Sequence, residues 1–181
     1  HPGQVYVSDW YSVWRTPDIW KDPADSTEWY AEAKGLENTC TLSLSTPRTG
    51  AQLISGGADM GGIRHTDLDE YPDGKLLELM GEVNSIDYCE ANPNYIAVTG
   101  SKHWDKDGVF AISTDNGANF TSITRPGDAR NGRLAYSATD PNLIVWTPQN
   151  GAPIRTTDMG KTWEETTGGP AVSIKAFWET T

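Results

Sequence analysis

The chain has 181 residues, long enough to enclose a core as one domain. A formal net charge of −11, with 14 Lys and Arg residues scattered rather than clustered, argues against nucleic-acid and anionic-membrane partners. No apolar run approaches the ~20 residues that span a bilayer, and 18 Gly, 11 Pro and many Ser and Thr between short apolar runs read as all-β with frequent turns.

In chain order, strands are expected at 4–8 and 12–15, then at 40–45, 51–55, 61–65 and 75–79. A third set follows at 84–89, 95–99, 108–112 and 120–124, and a fourth at 133–137, 143–147, 152–156 and 162–166. A further strand begins at Ala171-Val-Ser-Ile-Lys175. A short pattern punctuates these sets four times: Arg15-Thr-Pro-Asp18, Arg64-His-Thr-Asp67, Ile112-Ser-Thr-Asp115 and Arg155-Thr-Thr-Asp158. Its aspartates are 49, 48 and 43 residues apart. A period in the forties suits one four-stranded propeller blade per repeat. The expected architecture is therefore a partial β-propeller over 1–181, with blade repeats at 1–35, 36–83, 84–131 and 132–170 and the next blade starting at 171–181.

The last two copies, Ser113-Thr-Asp-Asn-Gly-Ala-Asn-Phe120 and Thr156-Thr-Asp-Met-Gly-Lys-Thr-Trp163, match the Asp-box of sialidase-like propellers. The aspartate can accept backbone N–H groups of its own turn. Gly117 and Gly160 supply a positive φ, and Phe120 and Trp163 pack between blades. Asp115 and Asp158 are thus read as turn fasteners rather than catalytic carboxylates. Asn119-Phe-Thr121 is a glycosylation sequon, but its place inside the box predicts no glycan.

Strand parity divides the loops. In an antiparallel blade, alternate connections share one end of the sheet. The Asp-boxes mark one end. The connections between second and third strands share the other: Asp9-Trp-Tyr11, Gly56 to Gly62, Gly100 to Asp107, and Pro148-Gln-Asn-Gly151. This places Asp9, Trp10, Tyr11, Asp59, Lys102, His103, Trp104 and Asn150 on one face. Aromatics, carboxylates and a histidine together suit a carbohydrate site.

Within that face, Ser55-Gly-Gly-Ala-Asp-Met-Gly-Gly62 sets one carboxylate between two glycine pairs. The plain reading is a flexible loop with an incidental Asp. The sharper one is a general acid that must approach a glycosidic bond within a bulky chain, since glycoside hydrolysis usually needs two carboxyl groups. The segment Gly56 to Leu68 resembles the G-x-G-D-I-G-G-F-x-H-D-D-L stretch of glycoside hydrolase family 74. The likeness extends through Val7 to Thr16, Gly35-Leu-Glu-Asn-Thr39, Ser85-Ile-Asp-Tyr88, Asn92-Pro-Asn94 and both Asp-boxes. Ala58, Met60, Ile63 and Thr66 depart from the family pattern.

The resemblance implies a secreted glycosidase acting on β-1,4-glucan, xyloglucan above all, from a cleft between two seven-bladed propellers, with inversion at the anomeric carbon. It implies that Asp59 is the general acid and that the base lies on another propeller. No second glycine-flanked Asp occurs here, and three to four blades cannot close such a ring. The chain also begins at His1 without Met. A piece of a longer enzyme is therefore expected, completed by further blades or another chain. Substrate contacts are expected at Trp10, Tyr11, Gly57, Gly61, Gly62, His103, Trp104 and Asn150. The alternatives are a non-catalytic Asp-box propeller that binds glycan or protein, and, less favoured, a sialidase, for which an arginine cluster is not evident.

The remaining candidates are weaker. Alternation from Ser8 to Trp14 cannot bury every aromatic, so Trp10 or Tyr11 either stacks on sugar or packs between blades. Asp9 is a lesser candidate for a second carboxylate, and His65 reads as structural. Cys40 and Cys89 are read as two small buried thiols, with a single bridge as the other option. Three His and two Cys without ligand spacing predict no metal, and no phosphate or dinucleotide motif predicts a cofactor.

Overall fold

The computed structural model describes residues 2–9, 12–21, 27–32, 40–70, 72, 80–104 and 106–167. They divide into two compact units, 1–39 and 40–181. Every regular element among the described residues is a strand. In the first unit β1 (Val5–Ser8), β2 (Val13–Thr16) and β3 (Tyr30–Ala31) form an antiparallel sheet in chain order.

The second unit holds three antiparallel sheets. The first contains β4 (Thr41–Ser45), β5 (Leu53–Gly57) and β6 (Gly62–His65). The second contains β7 (Glu82–Tyr88), β8 (Ile96–His103), β9 (Lys106–Ser113) and β10 (Thr121–Ser122). The third contains β11 (Arg133–Tyr136), β12 (Ile144–Thr147), β13 (Ile154–Thr156) and β14 (Glu164–Glu165). Each is a meander whose neighbours in space are neighbours in sequence, the topology of a propeller blade. The strands expected at 75–79 and from Ala171 lie outside the described residues.

The core lies between sheets. Ala51 and Ile54 pack with Met80, Val83, Ile86, Ile96, Val98, Val109 and Ala111 of the next blade. A second cluster joins Cys89, Ala97, Phe110 and Ile112 to Leu134, Tyr136, Ile144, Trp146 and Ile154. The middle blade is covered on both faces, which is why Ile96-Ala-Val98 and Val109-Phe-Ala-Ile112 are continuous apolar runs rather than alternating ones. Trp146 is fully buried, and its ring centroid lies 5.2 Å from that of Phe110 and 5.7 Å from that of Trp163.

The two regular Asp-boxes are built alike. Asp115 Oδ1 accepts from Asn119 N at 2.8 Å, and Asp115 Oδ2 accepts from Asn119 Nδ2 at 2.7 Å. Ser113 Oγ accepts from Gly117 N at 2.8 Å. Asp158, Thr162, Thr156 and Gly160 repeat these bonds. Gly117 and Gly160 have φ of 77° and 80°. Asp18 and Asp67 keep only the turn, accepting from Trp20 N and Asp69 N at 2.9 Å.

The sequence reading missed the residue between Asp and Gly. Asn116, at φ 59°, donates from Nδ2 to Thr49 O and Pro93 O and accepts from Ala51 N, stapling two blades together. The inner strands are also tied. Ser43 Oγ accepts from Ile86 N, and Ser85 Oγ accepts from Leu134 N. Register shifts at Thr41/Ser43 and Val83/Ser85 free the carbonyls of Leu42 and Asn84, and Arg133 donates to both.

Two expectations need correction. The segment from Gly100 to Asp107 is not a long loop: β8 and β9 continue until His103 faces Lys106, leaving a tight hairpin tip. Within the extension Ser101 is buried, and its hydroxyl bonds His103 O on the same strand at 2.7 Å. Of the cysteines, both free, Cys89 is buried but Cys40 is exposed. Just before β4, Cys40 uses its carbonyl, which accepts from Ala58 N at 2.9 Å, and leaves its thiol outside.

Candidate carbohydrate site

Asp59 occupies the tip of the β5–β6 hairpin. Gly57 N donates to Gly61 O at 2.8 Å and Met60 N to Ala58 O at 2.8 Å, closing the turn. Asp59 takes a left-handed φ of 67° and Gly61 one of 75°. Asp tolerates this region better than most residues, but it remains an uncommon conformation that surrounding structure must hold. Gly57, Ala58, Gly61 and Gly62 are buried, while Asp59 is exposed. One carboxylate thus stands on a collar of small, buried residues.

The glycines have an immediate structural cause. Gly57 and Gly62 end the flanking strands, and Gly61 N reaches across to Gly81 O at 3.0 Å. Gly56 lies so close to the neighbouring blade that a Cβ there would come 2.7 Å from Val83 O. The collar is therefore a rigid junction between blades rather than a flexible loop.

Two other tips of the second unit share this end. His103 and Trp104 cap the β8–β9 hairpin and are exposed, Trp104 by 68%. Gln149 and Asn150 follow β12. The Asn150 amide is engaged on both sides: Oδ1 accepts from Arg130 N at 3.1 Å and Nδ2 donates to Asp128 O at 3.0 Å. It fastens two connections to each other, which leaves it less available to a ligand than its position in the sequence implied.

Trp10 and Tyr11 lie outside the described residues. In the first unit, Asp9 is a turn fastener. Its Oδ1 accepts from Ser12 N at 2.7 Å, and its Oδ2 accepts from Trp14 Nε1 at 2.8 Å. Val7, Trp14 and Trp29 line an open cleft of about 310 Å³. Trp14 and Trp29 were not singled out in the sequence; only the surplus of aromatics between Ser8 and Trp14 hinted at them. His65 Nε2 bonds Ser55 Oγ at 3.0 Å, a structural role across the hairpin base.

The other missed residue is Glu82, at the start of β7 and 4% exposed. Its carboxylate contacts Ser101 Oγ and accepts from Asn131 Nδ2 at 3.1 Å. Its strand, Glu82-Val-Asn-Ser-Ile-Asp-Tyr88, mixes polar and apolar residues, so no local pattern sets Glu82 apart. Among the described residues, no group of three or more His, Cys, Asp or Glu could hold a metal.

No family model matches the sequence. A probable oligoxyloglucan-reducing end-specific xyloglucanase of Neosartorya fischeri is 30% identical over 193 aligned positions, which cover 93% of this chain and 24% of that protein. A xyloglucanase of Acetivibrio thermocellus is 32% identical over 137, covering 74% of this chain and 16% of its own length. The crystal structure of a GH74 xyloglucanase from Xanthomonas campestris superimposes with a TM-score of 0.70 at 26% identity, covering 94% of this chain and 25% of that one. The chain spans about a quarter of the length of the first of these relatives. The all-β blade topology agrees with these likenesses, and over nearly its whole length the chain is GH74 xyloglucanase-like.

Proposed function

We propose that this chain carries the acid half of a xyloglucan-cleaving site, with Asp59 as general acid of an inverting glycoside hydrolysis. The observation that carries the reading is the exposed, left-handed Asp59 at the tip of a buried glycine collar. An uncommon backbone conformation at a polar, exposed tip is a recurrent mark of a functional position. In this reading Asp59 gives its proton to the glycosidic oxygen as the bond breaks. A base on the opposite face of the sugar, ~6.5–9.5 Å away, takes a proton from the attacking water. That base lies outside these 181 residues, on further blades or on another chain. The lack of side chains at Gly57, Gly61 and Gly62 leaves room for the polysaccharide beside Asp59, and Trp104 with His103 supply stacking and polar contacts. The protein acts outside the cell, where such polysaccharide is found.

Turnover of xyloglucan and of unsubstituted β-1,4-glucan by the complete enzyme, wild-type and Asp59→Asn, tests this. A loss of ~10²-fold or more with oligosaccharide affinity retained is expected, the scale of missing acid catalysis. Near wild-type turnover in the variant removes Asp59 from the role. Binding without turnover in the wild type favours the non-catalytic glycan-binding module instead.

A further inference from the structure

Three loop tips stand at the Asp59 end of the second unit, and the Gly81-Glu82 segment is bonded toward each of them, by the Gly81 backbone and the buried Glu82 side chain. Glu82 follows Gly81, whose carbonyl receives Gly61 N from the Asp59 hairpin at 3.0 Å and whose own N–H donates to Ser101 O at 2.9 Å. The Glu82 carboxylate contacts Ser101 Oγ, and that hydroxyl also bonds His103 O at 2.7 Å, beneath the tip that carries Trp104. The same oxygen, Glu82 Oε1, also accepts from Asn131 Nδ2, whose second hydrogen goes to Gln149 Oε1 at 3.1 Å. Asn131 is itself fixed, because its carbonyl accepts from Trp146 Nε1 at 2.7 Å and from Thr99 Oγ1 at 3.2 Å.

The backbone around this carboxylate is packed without slack. A Cβ at Gly100 would sit 2.0 Å from Glu82 O, and one at Gly81 would sit 2.4 Å from Lys102 O. A carboxylate offers about four acceptor sites, so it can hold several donors from different blades at once. An apolar side chain of the same size could fill the space but could not fix their directions. Burying such a group is costly unless it is fully bonded, so its presence under an exposed catalytic tip calls for a reason beyond packing.

We infer that Glu82 is a positioning residue, which sets the Asp59, His103–Trp104 and Gln149–Asn150 tips in one mutual register. Its importance for catalysis rests on the role proposed for Asp59. Its effect on the loops does not.

The test compares Glu82→Ala and Glu82→Gln in the full chain by amide hydrogen exchange. In Glu82→Ala, exchange at Gly61, Gly81 and Gln149 should rise by ~10-fold or more, while Gly117 and Gly160 in the Asp-boxes stay within ~2-fold. Selective opening of one region against a stable remainder is the signature of a local fastener. Glu82→Gln retains an acceptor for Asn131 and Ser101 and should restore most of the protection. Uniform acceleration at all five amides, or none, overturns the inference, and so does a Gln variant as loose as the Ala variant. In the complete enzyme, with xyloglucan as substrate, Glu82→Ala should lower kcat by ~10-fold or more with KM nearly unchanged, since misplacing a catalytic group by a fraction of an ångström has that scale of effect. If the wild type does not cleave xyloglucan, the proposed activity fails while the exchange pattern still decides the role of Glu82.

Discussion

At the residue scale, the same side-chain type does opposite work at the two ends of the blades. Asp115 and Asp158 are saturated with donors from their own turns, whereas Asp59 is exposed on a hairpin tip. The donors have an electrostatic consequence. The Asn119 side chain and backbone hold the Asp115 carboxyl below its ordinary value, and the Thr162 backbone and hydroxyl lower Asp158 to about 2. A depressed folded-state pKa means that the ionised carboxylate adds stability above the unfolded value of 3.8. That contribution is lost as pH falls from there toward about 2. Wild-type protein should therefore lose thermal stability through this window, and Asp158→Asn should show a shallower loss, checked by thermal melts from pH 2 to 6. Asp115→Ala should cost ~1–3 kcal/mol through its lost charge-assisted bonds, with turnover per folded molecule unchanged. Both box aspartates were legible in the sequence because their partners lie within four residues. Asn116 and Glu82 were not, because theirs come from segments 19 to 67 residues away.

At the scale of elements, the three sheets of the second unit are tied to one another by buried clusters and by side-chain bonds between blades. Strand positions in the second unit were legible to within a few residues, since Pro-containing turns and Asp-boxes bracket them, whereas β3 in the first unit was not expected. The missed extension of β8 and β9 came from reading 100–107, bounded by Gly100 and Gly108, as a connection. They are strand glycines whose missing Cβ admits the neighbouring backbone: at Gly108 a Cβ would come 2.4 Å from Arg130 Cβ. Gly100→Ala should therefore destabilise by ~1–3 kcal/mol through overpacking, despite the better intrinsic propensity of Ala. Trp146→Ala should cost ~3–5 kcal/mol, because it opens a cavity beside Phe110 and Trp163 and removes the bond to Asn131. Denaturant melts read both changes, and the Trp146 variant should also lose near-ultraviolet circular dichroism.

At the scale of the whole molecule, the repeat accounts for what was readable and what was not. Unpaired sheet edges and apolar inter-blade faces favour association, and Leu44 is 61% exposed. We predict that the 181-residue chain associates in solution, with itself or with a chain that supplies further blades. Light scattering checks this, and a monomer with a sharp cooperative melt would contradict it. The sequence by itself determined the all-β class, the blade period, the two Asp-boxes and the single glycine-collared carboxylate. All of these are written in contacts a few residues long or in a repeated spacing. Tertiary structure alone decided that the collar glycines are junctions rather than hinges. It also decided that Asn150 is tied down and that Glu82 lies beneath three loop tips. Those facts depend on which backbone passes within hydrogen-bonding distance of another blade, and no local pattern in the chain encodes that distance.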